Sequence, residues 1–374
     1  ERQIQYLKSK SDSNNVGAAS KKNLLKLEDN KKMIENRYYR IKFNEQGQII
    51  SIFDRQYQRE ILPEGSKANL LQAFEDRPIR FDAWDIDIYY QEKEYQVNDL
   101  KEMKINKFSD RIIVNLDWQF LDSTIKQKMI IYANQRRIDF KTNIDWRQKQ
   151  ILLKTAFPVD LRTTKATYEI QFGNVERNTH WNTSWDYAKF ETVGHKWADL
   201  SERDYGVSLL NDCKYGYDIK GQTMRLTLIK SGIYPDSEAD QGQHSFTYSL
   251  YPHGGDWFEG ETVKEAYQLN YPLQTVISSI SLGEQPQQKS FIEVDAESTI
   301  LETVKKAEKS EALILRFYEY GNRRETVNVE LDFDFKEIKE CNLIEEDIAE
   351  VKFEADSFEF EIKPYEIKTF KVSS

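Results

Sequence analysis

Cysteine is scarce in this sequence. Only two of its 374 residues are cysteines, and Cys213 and Cys341 form neither a CxxC pair nor a repeated spacing. The pattern therefore gives no sign of a disulfide framework or of a cysteine-based metal motif. One disulfide between the two remains open, but a reduced, cytoplasmic setting is the simpler interpretation.

Long apolar runs are also absent, since none approaches the 18 residues that a membrane-spanning helix needs. We therefore expect no membrane association. The chain begins at Glu1 without an initiator methionine and without a signal-peptide pattern. That start predicts a fragment of a longer protein or a processed product.

The sequence has no long stripe of lysine and arginine, although its formal net charge is −10. A phosphate backbone would be repelled by that charge, so nucleic acid is not an expected partner.

Familiar catalytic motifs are missing as well. We find no GxSxG nucleophile turn, no phosphate-binding loop and no glycine-rich dinucleotide turn. The histidines at 180, 195, 244 and 253 show no zinc-binding spacing on a helix face. The residues alone therefore predict neither a complete catalytic set nor a metal site.

Aromatic residues are plentiful, with 21 tyrosines, 20 phenylalanines and seven tryptophans. Flat rings pack well on a pleated surface, which favours strands. Period-two alternation, as at Tyr39, Ile41 and Phe43, predicts strands along most of the chain, and only Glu261–Leu269 has a helical apolar face. The principal predicted strands are 49–53, 110–120, 125–133, 137–145, 152–159, 166–172, 206–210, 224–229, 246–251, 312–318, 326–333, 358–362 and 367–372.

The fold class is therefore predicted as all-β, in three parts. Residues 1–34, rich in Lys, Ser and Asn, are expected to be a partly disordered linker left from a preceding region. Residues 35–285 are predicted to form a large antiparallel sandwich. A polar hinge at 283–288 leads to a small β-sandwich at 286–374.

The most unusual stretch is 178–186, which combines His180, Asn182 and Trp185 with a second Trp, a second Asn and an Asp. Indole faces can stack on a pyranose ring, and amide or carboxylate groups can bind its hydroxyls. A loop whose polar groups satisfy one another explains the composition equally well.

Two other clusters carry carboxylates. Asp82 and Asp85 flank Trp84, and paired carboxylates suit glycoside hydrolysis. Three residues apart on an extended segment they would face opposite ways, so turn chemistry is the preferred interpretation. The loop 235–244 has three carboxylates and a histidine. A metal site is one reading of it, and Asp240 or His244 reaching into a pocket is the other.

The chain resembles the C-terminal region of glycoside hydrolase family 38 α-mannosidases, in their bacterial and cytosolic or vacuolar branch. The resemblance extends from about residue 35 to the end. It is carried by the segments 81–85, 179–186, 188–191, 195–202, 205–217, 239–242, 250–253 and 363–369.

That resemblance implies that the large sandwich is a super-sandwich of the galactose-mutarotase-like kind. It also implies a retaining mannosidase whose zinc is held by His and Asp residues of an N-terminal catalytic half. The family's Gly-His-x-Asp zinc motif and its nucleophile segment have no match here. The zinc ligands and catalytic residues are thus expected outside this chain, which alone should be inactive. Its expected partners are that catalytic domain and mannosides.

Within this chain, the resemblance indicates five residues that face the sugar pocket, where they would stack on the ring and bind its hydroxyls: Trp84, His180, Asn182, Trp185 and Asp240. Holding the interface between domains is the alternative role for the same residues. Two alternatives to the enzyme region as a whole also stay open, an independent carbohydrate-binding module and a structural or oligomerisation domain.

Overall fold

A computed structural model describes residues 25–28, 32–279, 283, 286 and 288–373. These residues form five antiparallel sheets and few helical turns, so the predicted all-β class is confirmed. Long alternating stretches form strands close to their predicted limits, because a strand with one buried face reads directly as period two.

The first sheet has five strands in sequential order. The first strand and two residues of the second lie within residues 1–34, which the sequence suggested as linker; residues 1–24 and 29–31 of that stretch are outside the described residues. The strands are β1 Lys26–Glu28, β2 Met33–Glu35, β3 Tyr39–Phe43, β4 Ile49–Asp54 and β5 Arg59–Glu60.

The second sheet has nine strands and forms one layer of the large sandwich. In spatial order its strands are β14 Gly173–Asn178, β13 Lys165–Ile170, β16 Trp197–Ser201, β17 Tyr205–Asn211, β20 Gly242–Gly254, β11 Ile138–Trp146, β10 Ser123–Tyr132, β9 Arg111–Phe120 and β8 Asp99–Lys107.

The third sheet has six strands and forms the facing layer. In spatial order they are β15 Thr192–Val193, β18 Gly216–Lys220, β19 Thr223–Ser231, β12 Ile151–Pro158, β6 Leu70–Glu75 and β7 Glu94–Gln96. A 3-10 helix, Ile88–Glu92, precedes β7.

Aromatic side chains from both layers meet in the core of the large sandwich. Phe140 and Tyr248 of the nine-stranded sheet stack with ring centroids 5.0 Å apart, and Phe157 of the six-stranded sheet lies 5.5 Å from Phe140. All three are buried, in one apolar cluster that also includes Ile41 of the first sheet. The inward residues of the sheets thus build a single large core.

Two α-helices occur among the described residues. The helix α1, Ser184–Tyr187, is a single turn in the tryptophan-rich segment. The helix α2, Thr262–Asn270, matches the predicted helix to within one residue and buries Val263, Ala266 and Tyr267.

The last two sheets form the small sandwich. Its four-stranded sheet contains β21 Ile292–Asp295, β24 Glu325–Leu331, β28 Ser357–Ile362 and β27 Phe353–Glu354; its five-stranded sheet contains β22 Thr299–Lys306, β23 Leu313–Glu319, β29 Ile367–Ser373, β25 Glu337–Cys341 and β26 Asp347–Glu350. Phe317 and Phe370 of one sheet pack on Phe358 and Phe360 of the other in a separate apolar core.

The fold divides into two compact units. The larger comprises the described residues up to Glu169 together with Val175–Asn270, and the smaller contains Ile170–Asn174 and the described residues from Tyr271 onward. Three residues of the predicted hinge 283–288, at positions 284, 285 and 287, lie outside the described residues. No helix among the described residues is long and apolar enough to cross a membrane.

Candidate functional site

The outer face of the six-stranded sheet is covered by chain segments instead of solvent. Alternation along β12 points Leu153 and Phe157 into the core, so Leu152 and Lys154 point outward. Both outward side chains are nevertheless completely buried. Segments that connect distant strands must therefore pack on this face.

Lys154 lies at the centre of a buried charged network on that face. Its ammonium pairs with the carboxylate of Glu191 and lies 3.7 Å from Oδ2 of Asp218. Arg225 donates to the same Asp218 oxygen at 2.8 Å, and Thr227 Oγ1 donates to Glu191 at 2.6 Å. Two cations thus face two carboxylates, and the formal charges cancel, which is what a buried ionic group requires.

Tyr90, in the 3-10 helix, lies over this network. Its hydroxyl donates to Asp218 Oδ2 at 3.2 Å, and the Lys154 ammonium lies 5.0 Å from its ring centroid. Burial, aided by the carboxylates of Glu191 and Asp218, raises the pKa of Tyr90 far above its ordinary range. Phe74 and Leu152 pack on the ring from below, so Tyr90 fixes its helix to the sheet.

The segment before this helix presents exposed aromatic side chains. Residues 81–85 form a tight turn in which the amides of Trp84 and Asp85 both donate to the carbonyl of Phe81. The extended conformation expected for Asp82 and Asp85 is therefore wrong, because Phe81 adopts a positive φ of 61° that closes the turn. Trp84 lies at the tip of this turn and is 71% exposed.

The buried Asp82 ties this turn to the segment 232–241. Its Oδ2 accepts from the amide of Ile233 at 3.0 Å, and the amide of Ala83 donates to the carbonyl of Tyr234 at 3.2 Å. Gly232 packs so closely on Asp82 that an added Cβ would meet the Asp82 Cβ at 2.9 Å. The Asp82 carboxylate therefore holds the turn to this segment through hydrogen bonding, which agrees with the preferred interpretation of a structural role.

Asp240 lies at the exposed end of the segment 232–241, with a positive φ of 56°. Its carbonyl oxygen is 2.9 Å from Nε2 of His244. Across the described parts of the chain, no group of three or more His, Cys, Asp or Glu side chains is arranged to hold a metal ion.

The segment 179–191 contains the other three predicted residues and lies at the surface. Thr183 caps α1 by accepting from the amide of Asp186 at 3.1 Å, and Trp185 is 80% exposed. His180 Nδ1 accepts from the amide of Asn182 at 3.4 Å and lies 3.8 Å from Oδ2 of Asp186.

Hydrogen bonds from Asn178 and Thr183 lower the pKa of the Asp186 carboxyl, with a smaller contribution from His180. The aspartate therefore orders the segment that leads to Trp185. The exposed position of Trp185 leaves its indole face open to a ligand or a partner.

The segments 77–92, 179–191 and 232–241 together make up what we call the loop layer. Phe190 and Glu191 contact Tyr90, which joins the second segment to the first, and the Asp82 contacts join the first to the third. All five residues predicted from the sequence lie on the loop layer, on three segments that are distant in the chain.

The supporting network was not predicted. The sequence does show Lys154 as a lysine within an otherwise mostly apolar strand. Its partner Glu191, however, is 37 residues away along the chain. Nothing in the local sequence pairs them. Arg177, on β14 immediately before the second segment, was also not identified as a candidate site residue.

The sequence matches two family models. Residues 34–238 match the glycosyl hydrolases family 38 C-terminal domain, and residues 298–370 match the glycosyl hydrolases family 38 C-terminal beta sandwich domain. The two matches fall on the large and the small sandwich respectively.

Similar proteins include Alpha-mannosidase G of Dictyostelium discoideum, 39% identical over 91% of this chain and 32% of the relative. Human Alpha-mannosidase 2C1 is 34% identical over 83% of this chain and 30% of the relative. The chain thus spans about a third of the length of these curated relatives.

Among solved structures, an α-mannosidase from Enterococcus faecalis V583 aligns with a TM-score of 0.75 over 93% of this chain and 42% of that chain. Its sequence identity of 15% means that the match supports the fold alone.

Proposed function

Because the chain belongs to glycosyl hydrolase family 38 and carries both of its C-terminal domains, we propose that it is the C-terminal region of an enzyme that hydrolyses α-linked mannose. The names of its relatives support this assignment, as does their identity of 34–39% with the chain. Because the chain spans about a third of those relatives, the activity belongs in this proposal to a longer protein.

Catalysis is proposed to lie in the part of the enzyme outside this chain. A retaining glycosidase needs a nucleophile and an acid–base carboxyl about 5–5.5 Å apart, at a site that admits the sugar. The carboxylates of Glu191, which is mostly buried, and of Asp218 are both ion-paired on the outer face of the six-stranded sheet. The described residues also do not fit a zinc site, so zinc is assigned to that other part as well.

The observation that carries the proposal for this chain is the exposure of aromatic side chains on a rigid support. Trp84 and Trp185 lie at the surface, whereas Tyr90, Lys154 and Glu191, which hold their segments to the sheet, are fixed by packing and ion pairs. Apolar neighbours are exposed as well, at Ile79, Phe81, Tyr89, Ile233 and Tyr234. Large exposed apolar surface indicates an interaction site.

We therefore propose that the loop layer faces the catalytic half and forms part of the rim of the sugar pocket. In this arrangement Trp84 and Trp185 stack on sugar rings, and His180, Asn182 and Asp240 bind hydroxyl groups. Bond cleavage is not assigned to any of the five.

The test uses the complete polypeptide encoded by the reading frame. Trp84→Ala and Trp185→Ala should each raise KM or lower kcat/KM for an aryl α-mannoside by about tenfold or more, since a lost stacking contact of about 1.4 kcal/mol has that effect. Phe108→Ala is the matched control, an exposed aromatic outside the loop layer. Equal, unchanged kinetics for all three variants would refute the pocket role.

The chain alone gives the second arm of the test. It should show no hydrolysis of an aryl α-mannoside, with or without added zinc. Robust turnover by the isolated chain would contradict the division of labour proposed here.

An independent carbohydrate-binding module is the second candidate, favoured by the exposure of Trp185. It predicts saturable binding of methyl α-mannoside to the isolated chain in calorimetry, abolished in Trp185→Ala. A flat titration excludes it and leaves the enzyme region.

The third candidate is an oligomerisation domain, favoured by the exposed apolar side chains of the loop layer. It predicts a stable oligomer of the isolated chain in sedimentation velocity, whereas a monomer at high concentration removes this candidate.

We also propose a cytoplasmic setting, supported by the finding that Cys213 and Cys341 are both free thiols.

A further inference from the structure

Arg177 is partly buried at the edge of the large sandwich and has no ionic partner among the described residues. It lies on β14, the edge strand of the nine-stranded sheet, three residues before His180. Its guanidinium carbon lies 4.6 Å from the ring centroid of the buried Tyr168. Its Nη1 is enclosed by protein without a hydrogen-bond acceptor.

Other arginines in this chain show what is unusual here. Arg225, also partly buried, pairs with Asp218 at 2.8 Å, and Arg136 and Arg137 pair with Asp54 and Asp139. Several arginines within the described ranges are at least partly buried. Among these, Arg177 is the one whose side chain has neither an ion pair nor a hydrogen bond.

An unpaired guanidinium in this position weakens the isolated chain. Burial lowers the pKa of Arg177, and only Tyr168 opposes that shift. Arginine remains charged in proteins even so, and part of the guanidinium is removed from water without an opposite charge. The cation–π contact with one ring offsets part of this desolvation.

Carboxylate is the ligand class that best matches this group. A guanidinium presents donors in a planar fork that binds a carboxylate through two parallel hydrogen bonds. Tyr168 covers one side and protein encloses Nη1, whereas Nε and Nη2 are not enclosed. The edge formed by Nε and Nη2 therefore remains open to a partner from outside. The strand of Arg177 leads directly into the segment 179–191 of the loop layer.

We propose that Arg177 binds a carboxylate side chain supplied by the part of the enzyme outside this chain. This inference rests on the proposed function, since that function supplies the partner. Docking of the two parts then neutralises a charge that each would otherwise leave unpaired, and it fixes the edge of the sandwich beside the loop layer.

Arg177→Met is the decisive variant, because methionine keeps the apolar stem over Tyr168 and removes the charge. In the isolated chain, the urea midpoint should stay unchanged or rise, because an uncompensated charge is lost. In the complete enzyme it should fall, with a shift of about 30-fold or more in the equilibrium between docked and undocked parts. Arg177→Lys, which keeps the charge, should recover part of that loss.

Arg225→Met is the matched control, because its partner Asp218 lies within the same chain. It should lower the midpoint in the isolated chain and in the complete enzyme alike. A midpoint that falls for Arg177→Met in the complete enzyme but not in the isolated chain is therefore a readout that a purely structural role cannot give.

Three outcomes would overturn the inference. Destabilisation of the isolated chain by Arg177→Met, to the extent seen with Arg225→Met, would mean that the guanidinium is satisfied internally, as by a buried water. No change in either form would mean that no carboxylate binds. If Arg177→Met leaves the midpoint of the complete enzyme unchanged but raises its KM, the group that accepts hydrogen bonds from Arg177 is an oxygen of the substrate. If the complete wild-type enzyme hydrolyses no α-mannoside, the proposed function fails instead.

Discussion

Lys154 and Glu191 form an ion pair on the outer face of a sheet, and the lysine side chain is completely shielded from solvent. The pair joins β12 to the segment that carries Trp185, and Tyr90 covers it. We regard it as the anchor of the loop layer, because it connects the sheet to the segments at the surface.

Lys154→Met should lower the free energy of unfolding by about 3–5 kcal/mol, since it leaves the carboxylates of Glu191 and Asp218 undercompensated in a buried site. Urea denaturation of the isolated chain measures this. The double variant Lys154→Met with Glu191→Gln should recover part of the loss. Lys165→Met breaks an exposed pair with Glu176 and should change stability by less than about 1 kcal/mol. Equal effects of both lysine variants would contradict the anchor role.

Asp76 should make stability depend on pH in an unusual direction. The side chain is only 2% exposed, and burial raises the pKa of its carboxyl although the Lys230 ammonium lies 2.8 Å from Oδ2. A raised folded-state pKa gives a contribution that is fully present below the unfolded pKa and lost as pH rises through the folded pKa. Asp76→Asn should therefore raise the urea midpoint near pH 7.

The stabilisation by Asp76→Asn should shrink as pH falls toward the usual carboxyl range, where the wild-type group becomes protonated. Asp122→Asn, at an exposed turn, should show no such pH-dependent difference. A benefit of Asp76→Asn that grows on acidification would oppose the assignment.

Gly206 should tolerate no side chain. It lies beside a buried polar cluster in which Nε2 of His253 is 2.9 Å from Asp199 Oδ2. A Cβ at this glycine would meet Cε1 of His253 at 2.3 Å and Oγ of Ser201 at 2.5 Å. Gly206→Ala should thus destabilise the chain by about 1–3 kcal/mol. In a His253→Ala background the same change should have a smaller effect, and strict additivity of the two would count against a clash with the imidazole.

Phe317 should contribute strongly to the stability of the small sandwich. Its ring is fully buried, with centroids of Phe360 and Phe370 at 5.1 and 5.8 Å. Phe317→Ala should lower the free energy of unfolding by about 3–5 kcal/mol because it leaves a cavity between the two sheets. Phe291→Ala, at a half-exposed position, should change it by less than about 0.5 kcal/mol. Thermal and urea unfolding monitored by circular dichroism would show whether the two values differ in this way.

Several strands that alternate between a buried and an exposed face were predicted closely, whereas some strands that are buried on both faces were missed. The alternation in Arg111–Phe120 gave its limits to within one residue. Leu70–Glu75 and Trp197–Ser201 were missed, because outward residues such as Phe74 are covered and the alternation disappears. Sequence periodicity reports burial, and burial here depends on segments far away in the chain.

Composition drew attention to exposed residues of the candidate site, but nothing in the sequence indicated the ion pairs that support them. Composition singled out Trp84 and Trp185, and the structure places both on the loop layer. The turn around Trp84 depends on a positive φ at Phe81, a residue type that gives no local sign of it. Whether the five predicted residues bind sugar stays a prediction, to be decided by the kinetics of the complete enzyme.

The positions of the tryptophans allow intrinsic fluorescence to report on contacts with the loop layer. Trp118, Trp146 and Trp197 are buried in the large sandwich, whereas Trp84 and Trp185 project from the loop layer into solvent. Acrylamide should quench the second population preferentially and leave a blue-shifted emission from the first. Whatever covers the loop layer will therefore register as lost quenching, without any attached label.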